Sequence, residues 1–175
     1  MIAANSQKKP VVYLANPLGF SALTRPGLPL LIGILEPEFE VIEPFDLNAD
    51  HGAQLDDVTE ETKSLATLKR ELHAINMEIG ARNEQAIRTC DLVVAILDGT
   101  DTGVAAEVGC AFAYGKPVFG LRSDFRLAGD NLGSKINLQV EYFVEASGGV
   151  ICTTLQELRD RLSQWKNSVN SPAGT

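Results

Sequence analysis

Residues 92–109 read LVVAILDGTDTGVAAEVG and decide the fold class of this chain. The run Leu92–Leu97 is continuously apolar, which is typical of a strand buried on both faces of a parallel sheet. A loop rich in Gly, Asp and Thr follows, and then a predicted helix of small residues, from about Gly103 to Tyr114, whose one acid is Glu107. Ligands of open α/β sheets bind beyond the carboxyl ends of the strands, so this segment predicts carboxylates in a ligand crevice.

Four further apolar runs extend the pattern on either side and predict strands at residues 11–15, 39–45, 117–121 and 149–152. Helical patterns lie between them, and this alternation is typical of βαβ units and a parallel sheet. We therefore expect a flavodoxin-like, doubly wound α/β fold with five parallel strands in the order 2-1-3-4-5. In that order the loops after Ala15 and Leu97 face each other at the switch point.

The segments between the predicted strands differ in regularity. A helix is expected to begin near Pro29, and apolar residues at helical spacing predict a long helix over residues 61–88, with Gly80 as a candidate break. Residues 46–60 are polar and acidic, which predicts a long irregular loop that could act as a lid. The last helix is expected to be capped by Thr154 and to extend through Trp165.

Length and composition predict one ordinary globular domain over residues 1–175, with residues 1–9 and 167–175 as flexible tails. The net charge of −8 repels phosphate backbones, so no nucleic-acid partner is expected. No run approaches the roughly 18 apolar residues of a membrane span, and no signal peptide is evident. We therefore expect a cytoplasmic protein without a membrane partner.

The cysteine and histidine spacing does not suggest a metal site. Cys90, Cys110 and Cys152 lie far apart in apolar surroundings and are interpreted as small buried hydrophobic residues in a reducing compartment. His51, in the predicted loop, and His73 are interpreted as ordinary surface residues. No metal is expected.

Three motifs of nucleotide binding and acyl transfer are missing from the chain. There is no GxGxxG after the first predicted strand, no GxxxxGK[ST] and no GxSxG, which disfavours a dinucleotide cofactor, a P-loop and a serine nucleophile. No cofactor is expected. The side chains that remain as candidates for catalysis are carboxylates.

Glu107 lies near the start of its predicted helix, where the helix dipole favours an ionised carboxylate. Such a group suits nucleophilic attack at an electron-poor carbon, for example a sugar anomeric carbon, while Asp98 or Asp101 could protonate the leaving group. Simpler roles stay open. Asp98 could form a hydrogen-bonded turn, and Glu107 could serve only the helix dipole. Tyr13 could be a core tyrosine and Asn83 an exposed helix residue.

The loop after the fourth predicted strand contains a second group of charges. Arg122, Asp124 and Arg126 are expected to form a local salt-bridge network over that loop.

Several short motifs together resemble those of the nucleoside 2-deoxyribosyltransferase family, over roughly residues 10 to 145. They are Tyr13-Leu-Ala, Asn83 before Cys90-Asp91, the run from Asp101 through Glu107 to Gly109, Gly115-Lys-Pro-Val118, Arg122-Ser-Asp-Phe-Arg126 and Ile136-Asn137-Leu138. The Asp-x-Gly-x-x-x-Glu-x-Gly element is fairly specific in combination with the others.

The resemblance implies exchange of the base on a 2′-deoxyribonucleoside, with that nucleoside and a free nucleobase as partners. It implies that Glu107 attacks the anomeric carbon, that Tyr13 steadies this nucleophile and that Asp101 binds and protonates the base. Further substrate-binding candidates are Asn83 against the base, Phe20 lining the pocket, Asp98 and Gly103. Asn137 would reach the sugar in a neighbouring subunit, which implies a homo-oligomer.

The chain also departs from the family pattern. Asn83 stands where several members carry Asp, which leaves Asp101 as the expected proton donor, and the end at Thr175 lacks the aromatic residue that completes the site in some members. An alternative is an N-glycosidase that uses the same Glu with water, acting on a nucleoside or a deoxynucleoside 5′-monophosphate. A non-catalytic nucleotide-sensing domain on the same fold is a second alternative.

Overall fold

The computed structural model describes residues 8–60, 63–99 and 101–170, and it confirms the flavodoxin-like five-stranded parallel sheet. The strands pair in parallel in the order β2-β1-β3-β4-β5. Their bounds are β1 Val11–Ala15, β2 Glu40–Ile42, β3 Leu92–Ile96, β4 Val118–Leu121 and β5 Val150–Cys152.

Seven α-helices occur within the described residues, and a single 3₁₀ turn, Leu18–Phe20, follows β1. The helices are α1 Gly27–Leu35, α2 Pro44–Leu47, α3 Ala49–Glu60, α4 Leu65–Thr89, α5 Thr102–Ala113, α6 Leu138–Ala146 and α7 Leu155–Asn170. Within these ranges every helix is too short or too polar to cross a lipid bilayer.

Two apolar layers cover the two faces of the sheet, because successive side chains of a strand point to opposite faces. Tyr13 and Ala15 belong to the layer that contains Ile87 of α4 and Val108 of α5. The alternate strand residues pack instead against α1 and α7, where Leu158 is buried. Tyr13 is thereby directed towards α4 and α5.

The register places the loops after β1 and β3 side by side. Tyr13 lies opposite Val93 and Ala15 lies opposite Ala95 in the parallel pairing. Helix α5 leaves the loop after β3 and packs against both strands. It ends at the predicted glycine, because Gly115 has φ +67°, a left-handed conformation that ends helices.

The predicted loop over residues 46–60 is wrong, since this segment forms α2 and α3. The carboxylate of Glu43 accepts hydrogen bonds from the backbone N–H groups of Phe45 and Asp46, and Pro44 occupies the first turn of α2, where a missing N–H costs nothing. The same cap explains why β2 ends at Ile42 and not at residue 45. Helix α3 then packs along α4.

His51, interpreted from the sequence as a surface residue, lies on α3 and is only 1% exposed. Its Nε2 lies 2.9 Å from a carboxylate oxygen of Glu78 on α4. Beside it, Arg82 donates two hydrogen bonds to Asp50, at 2.7 and 2.9 Å. These contacts to α4 are tertiary, and residues 46–60 show no apolar pattern that would predict them.

Three helices also differ from the predictions, in their bounds or in their continuity. Helix α1 begins at Gly27, two residues before Pro29. Helix α4 runs unbroken through Gly80, because one exposed glycine weakens a helix by only about 1 kcal/mol. Helix α7 continues to Asn170, so residues 167–170 of the predicted tail are helical, with Trp165 packed near Phe39. Residues 1–7 and 171–175 of the predicted tails lie outside the described residues.

Candidate active site

Tyr13 and Glu107 meet at the carboxyl end of the sheet. Tyr13 is fully buried on β1, and its hydroxyl donates a hydrogen bond of 2.5 Å to Oε1 of Glu107 on α5. The apolar strand and the small-residue helix fix both side chains, since each backbone is packed in the core. We call the group formed by Tyr13, Asp101 and Glu107 the floor of the site.

Burial controls the ionisation of Glu107. It raises the pKa of this carboxyl to about 7, the hydrogen bond from Tyr13 acts in the opposite direction, and the charges of Asp101 and Glu43 raise the pKa further. From the sequence alone, the helix dipole is expected to favour the ionised form of Glu107. Glu107 lies beyond the first turn of α5, however, where the dipole effect has decayed, so desolvation prevails.

Tyr13 remains a hydrogen-bond donor under all ordinary conditions. Burial, and next the negative charge of Glu107, raise the pKa of its hydroxyl far above the usual value. A neutral tyrosine can therefore hold the Glu107 carboxylate in one orientation without losing its own proton.

Asp101 is the N-cap of α5. Its Oδ1 accepts a hydrogen bond of 2.8 Å from the backbone N–H of Val104, and Oδ2 has no hydrogen-bond partner within the described residues. A Cβ at Gly103 would lie 3.0 Å from Oδ1 of Asp101, so glycine gives the cap its room. The capping role therefore leaves one carboxylate oxygen for a ligand.

The opposite side of the cavity is built from residues 43–59, which we call the wall. The three buried side chains of this segment, those of Glu43, Asn48 and His51, are all polar. Glu43 is 4% exposed and accepts a hydrogen bond of 2.9 Å from the amide of Asn16, in addition to the two backbone N–H groups of α2. This contact ties the loop after β1 to the wall.

Sequence reasoning missed Glu43 and Asn48. The signal for Glu43 was its position directly before Pro44, which is typical of a helix start, but the residue was counted within a strand. Asn48 donates through Nδ2 to the carbonyl oxygen of Pro44 and to Oδ1 of Asn83, both at 2.8 Å. No sequence pattern predicts the contact with Asn83, because the two residues lie far apart in the sequence.

Floor and wall enclose one cavity of about 690 Å³. Its lining includes Asp101, the cap of α5, Gly103 and Glu107 from the first half of that helix, and Asn83 from α4. Phe20 also lines it, 79% exposed, with its ring edge-on to that of Phe45 at 4.9 Å. The volume lies within the range of sites that enclose a drug-sized ligand.

Asp98 and Asn137 line a different cavity, of about 220 Å³, which shares Asp101 with the first. The structure does not bring them to Glu107 within one chain. Asp98 accepts hydrogen bonds from the backbone N–H of Asp124 at 2.8 Å and from Arg122 at 3.3 Å, so it organises the loop after β4. Asn137 caps α6 through Oδ1 and is exposed.

The predicted network of Arg122, Asp124 and Arg126 is present. Arg122 lies 3.4 Å from Asp124, and Arg126 forms a close ion pair with the same carboxylate. The hydrogen bonds from Arg126 hold the pKa of Asp124 well below its usual range. This network stabilises the loop that borders the smaller cavity.

The described residues contain no group of three or more His, Cys, Asp or Glu side chains arranged to hold a metal ion.

Residues 12–139 match the family described as nucleoside 2-deoxyribosyltransferase. A curated relative is a magnesium-chelatase subunit ChlI homolog of Methanocaldococcus jannaschii, 33% identical over 86 residues, which are 46% of this chain and 24% of that protein. The match therefore spans about a quarter of the relative's length.

Solved structures share the fold at low sequence identity. A conserved protein from Enterococcus faecalis V583 matches with a TM-score of 0.62 and 20% identity, over 90% of this chain and 99% of that one. A 2-deoxyribosyltransferase from Bacillus psychrosaccharolyticus matches with a TM-score of 0.56 and 17% identity, over 86% of this chain and 90% of that one. A CMP N-glycosidase from Clostridium botulinum matches with a TM-score of 0.51 and 19% identity, over 89% of this chain and 98% of that one.

Proposed function

Because this chain belongs to the nucleoside 2-deoxyribosyltransferase family, we propose that it transfers a 2-deoxyribosyl group between nucleobases through a covalent bond to Glu107. The observation that carries this proposal is the hydrogen bond from the buried Tyr13 to Glu107, a carboxylate that lines the same cavity as Asp101. Such base exchange would serve nucleotide salvage in the cytoplasm.

In the first step, ionised Glu107 attacks C1′ of the nucleoside. Tyr13 occupies Oε1, which leaves Oε2 for the sugar carbon. The C1′–Oε2 bond forms while the bond from C1′ to the base nitrogen breaks, and the departing base takes a proton from the free carboxyl oxygen of Asp101 or through water. The products are a free base and a deoxyribosyl ester on Glu107.

In the second step, a nitrogen of the incoming base attacks C1′ from the vacated side. The ester bond breaks, Glu107 returns to a carboxylate and the proton of the incoming base passes to Asp101, which restores the starting state. Two displacements at one carbon retain its configuration. The hydrogen bond from Tyr13 is strongest when Glu107 is charged, so it favours departure of the carboxylate in this step.

The test is chromatography of deoxyinosine with adenine or cytosine, with and without the second base. We expect a new deoxynucleoside only when the acceptor base is present, with ping-pong kinetics. Mass spectrometry of acid-quenched protein should find the deoxyribosyl group on the peptide that contains Glu107, and Glu107→Gln should lack it. Equal base release with and without an acceptor would contradict transfer.

The second candidate is a nucleotide N-glycosidase, in which water attacks the same ester. The observation that favours it is Arg25, a cation in the lining of the large cavity without an acidic partner among the described residues. Ser21 and Thr24 lie in the same loop, so a 5′-phosphate could bind there. Deoxynucleoside 5′-monophosphates, assayed beside the nucleosides, distinguish the two: loss of base from the phosphates alone, without an acceptor, favours the glycosidase.

We also propose that Asn137 acts in the site of a neighbouring subunit. It is exposed, it lines the smaller cavity, and only its Oδ1 is used by the α6 cap. Mixing Asn137→Ala with Glu107→Gln under conditions of subunit exchange should restore activity, because mixed oligomers contain sites with one intact copy of each residue. If Asn137 acts within its own chain, the mixture stays as inactive as its components.

A further inference from the structure

The two amides of Asn48 and Asn83 form a directed pair. A backbone carbonyl can only accept a hydrogen bond, so the Asn48 atom that lies 2.8 Å from the carbonyl oxygen of Pro44 is the donor Nδ2. The same Nδ2 lies 2.8 Å from the side chain of Asn83, whose facing atom must therefore be the acceptor Oδ1. The acceptor of Asn83 is thus occupied by Asn48.

Asn48 cannot reverse its amide in place. It is 7% exposed and sits between α2 and α3, where its backbone N–H also bonds to the carbonyl oxygen of Pro44. In the present orientation Oδ1 of Asn48 is buried without a hydrogen-bond partner among the described residues. A reversed amide would instead bring that oxygen to 2.8 Å from the Pro44 carbonyl oxygen, and two acceptors at this distance repel each other. The fixed backbone of the wall therefore sets the orientation of a side chain on α4.

Asn83 is then left with its donor for the cavity. Its Nδ2 has no hydrogen-bond partner within the described residues, and Asn83 lines the same cavity as Glu107. A ligand atom that meets this group must accept a hydrogen bond. An exocyclic amino group at that point would bring two donors together and leave both unpaired.

We propose that Asn83, oriented by Asn48, makes the site select bases with an oxo group over their amino counterparts. The inference rests on the proposed function, in that it takes the base to lie in the cavity beside Glu107. Its substrates would be 6-oxopurine and 4-oxopyrimidine deoxynucleosides, and Asn48 is a positioning residue. An unpaired buried donor typically changes discrimination by about 10- to 100-fold.

The test compares kcat/KM for deoxyinosine with that for deoxyadenosine, and deoxyuridine with deoxycytidine, all with one common acceptor base. The wild-type protein should favour the oxo member of each pair about 10-fold or more. A ratio near one, or a preference for the amino bases, overturns the inference while base exchange itself stands. Failure of all four donors to exchange overturns the proposed function.

Asn48→Asp gives the sharpest variant, because it leaves Asn83 unchanged. The carboxylate has no proton to donate, so Asn83 must turn its Nδ2 to the new aspartate and present Oδ1 to the cavity. The preference should then shift by at least about 10-fold towards the amino bases, whatever happens to the absolute rate. An unchanged ratio in folded protein overturns the inference.

Two further variants complete the test. Asn83→Asp presents an acceptor directly and should shift the ratio in the same direction, which keeps the inference falsifiable if Asn48→Asp does not fold. Gln85→Glu makes the same amide-to-acid change on α4, at an exposed position outside the cavity lining, and should leave the ratio at its wild-type value. A shift with Gln85→Glu would show that added charge, not amide orientation, controls base choice.

Discussion

The floor and the wall line the same cavity but are built differently. The floor rests on β1, β3 and α5, where apolar residues surround the functional side chains and Tyr13 is completely buried. The wall contains α2 and α3, and its three buried side chains, Glu43, Asn48 and His51, are polar. A packed floor holds reacting groups in one geometry, whereas a wall held by hydrogen bonds is the less stable unit. We therefore expect the floor to determine the chemistry and the wall to determine which ligand fits.

The largest effect should come from Glu107→Gln. Base exchange should fall on the order of 10³-fold or more, because an amide cannot form the ester. Stability should change in the opposite direction. The folded pKa of about 7 lies above the ordinary 4.5, so the folded protein binds the extra proton and loses up to about 3 kcal/mol as pH rises through that interval.

The Glu107→Gln variant has no carboxyl group at this position to ionise, so its free energy of unfolding should not fall over this pH interval. Urea unfolding at pH 8 should find Glu107→Gln more stable than the wild type, and at pH 4.5 the two should be nearly equal. A variant less stable at pH 8 would show that the charged carboxylate is favourable in the fold, against burial as the main cause of the raised pKa of Glu107.

Two substitutions of Asp101 distinguish its role as proton donor from its role as the cap of α5. Both Asp101→Asn and Asp101→Ala remove the proton donor and should lower activity about 10²-fold. Only alanine removes the side-chain acceptor for the N–H of Val104, so thermal unfolding should show a loss of about 1 kcal/mol for Asp101→Ala and little for Asp101→Asn. Full activity of Asp101→Asn would mean that another group supplies the proton.

His51→Ala tests the wall. It removes a buried ring that contacts Glu78, and we expect a loss of about 2 kcal/mol in the free energy of unfolding, with KM affected more than kcat. The matched control is His73→Ala, on the exposed face of α4, which should leave stability and kinetics unchanged. Equal effects of the two substitutions would remove the distinction between a tertiary contact and an ordinary surface histidine.

Tyr13→Phe should give the smallest effect, seen in the pH profile of the floor. Its hydrogen bond lowers the pKa of Glu107, so its loss should move the rising limb of kcat/KM from about pH 7 to higher pH, by about one unit or less. Above the limb, loss of this hydrogen bond should lower the rate by no more than about 10-fold. A limb that moves to lower pH would contradict the donor role of Tyr13.

The floor was accessible from the sequence because its signals are local. A continuous apolar strand, a polar loop and a small-residue helix with one acid predict both the sheet and the position of Glu107, and the structure places Glu107 and Tyr13 in contact. The wall was not accessible, because residues 46–60 show no apolar pattern. Their helices depend on a cap by Glu43 and on contacts of His51 and Asp50 with α4.

The amino-acid sequence by itself determined the parallel sheet, its strand order and the single acid within α5, Glu107, since periodicity and local motifs encode them. The tertiary structure decided the ionisation of that acid, the wall and the orientation of Asn83. Desolvation and hydrogen bonding act between groups far apart in the chain, so they take effect only when folding brings Tyr13 to Glu107 and Asn48 to Asn83.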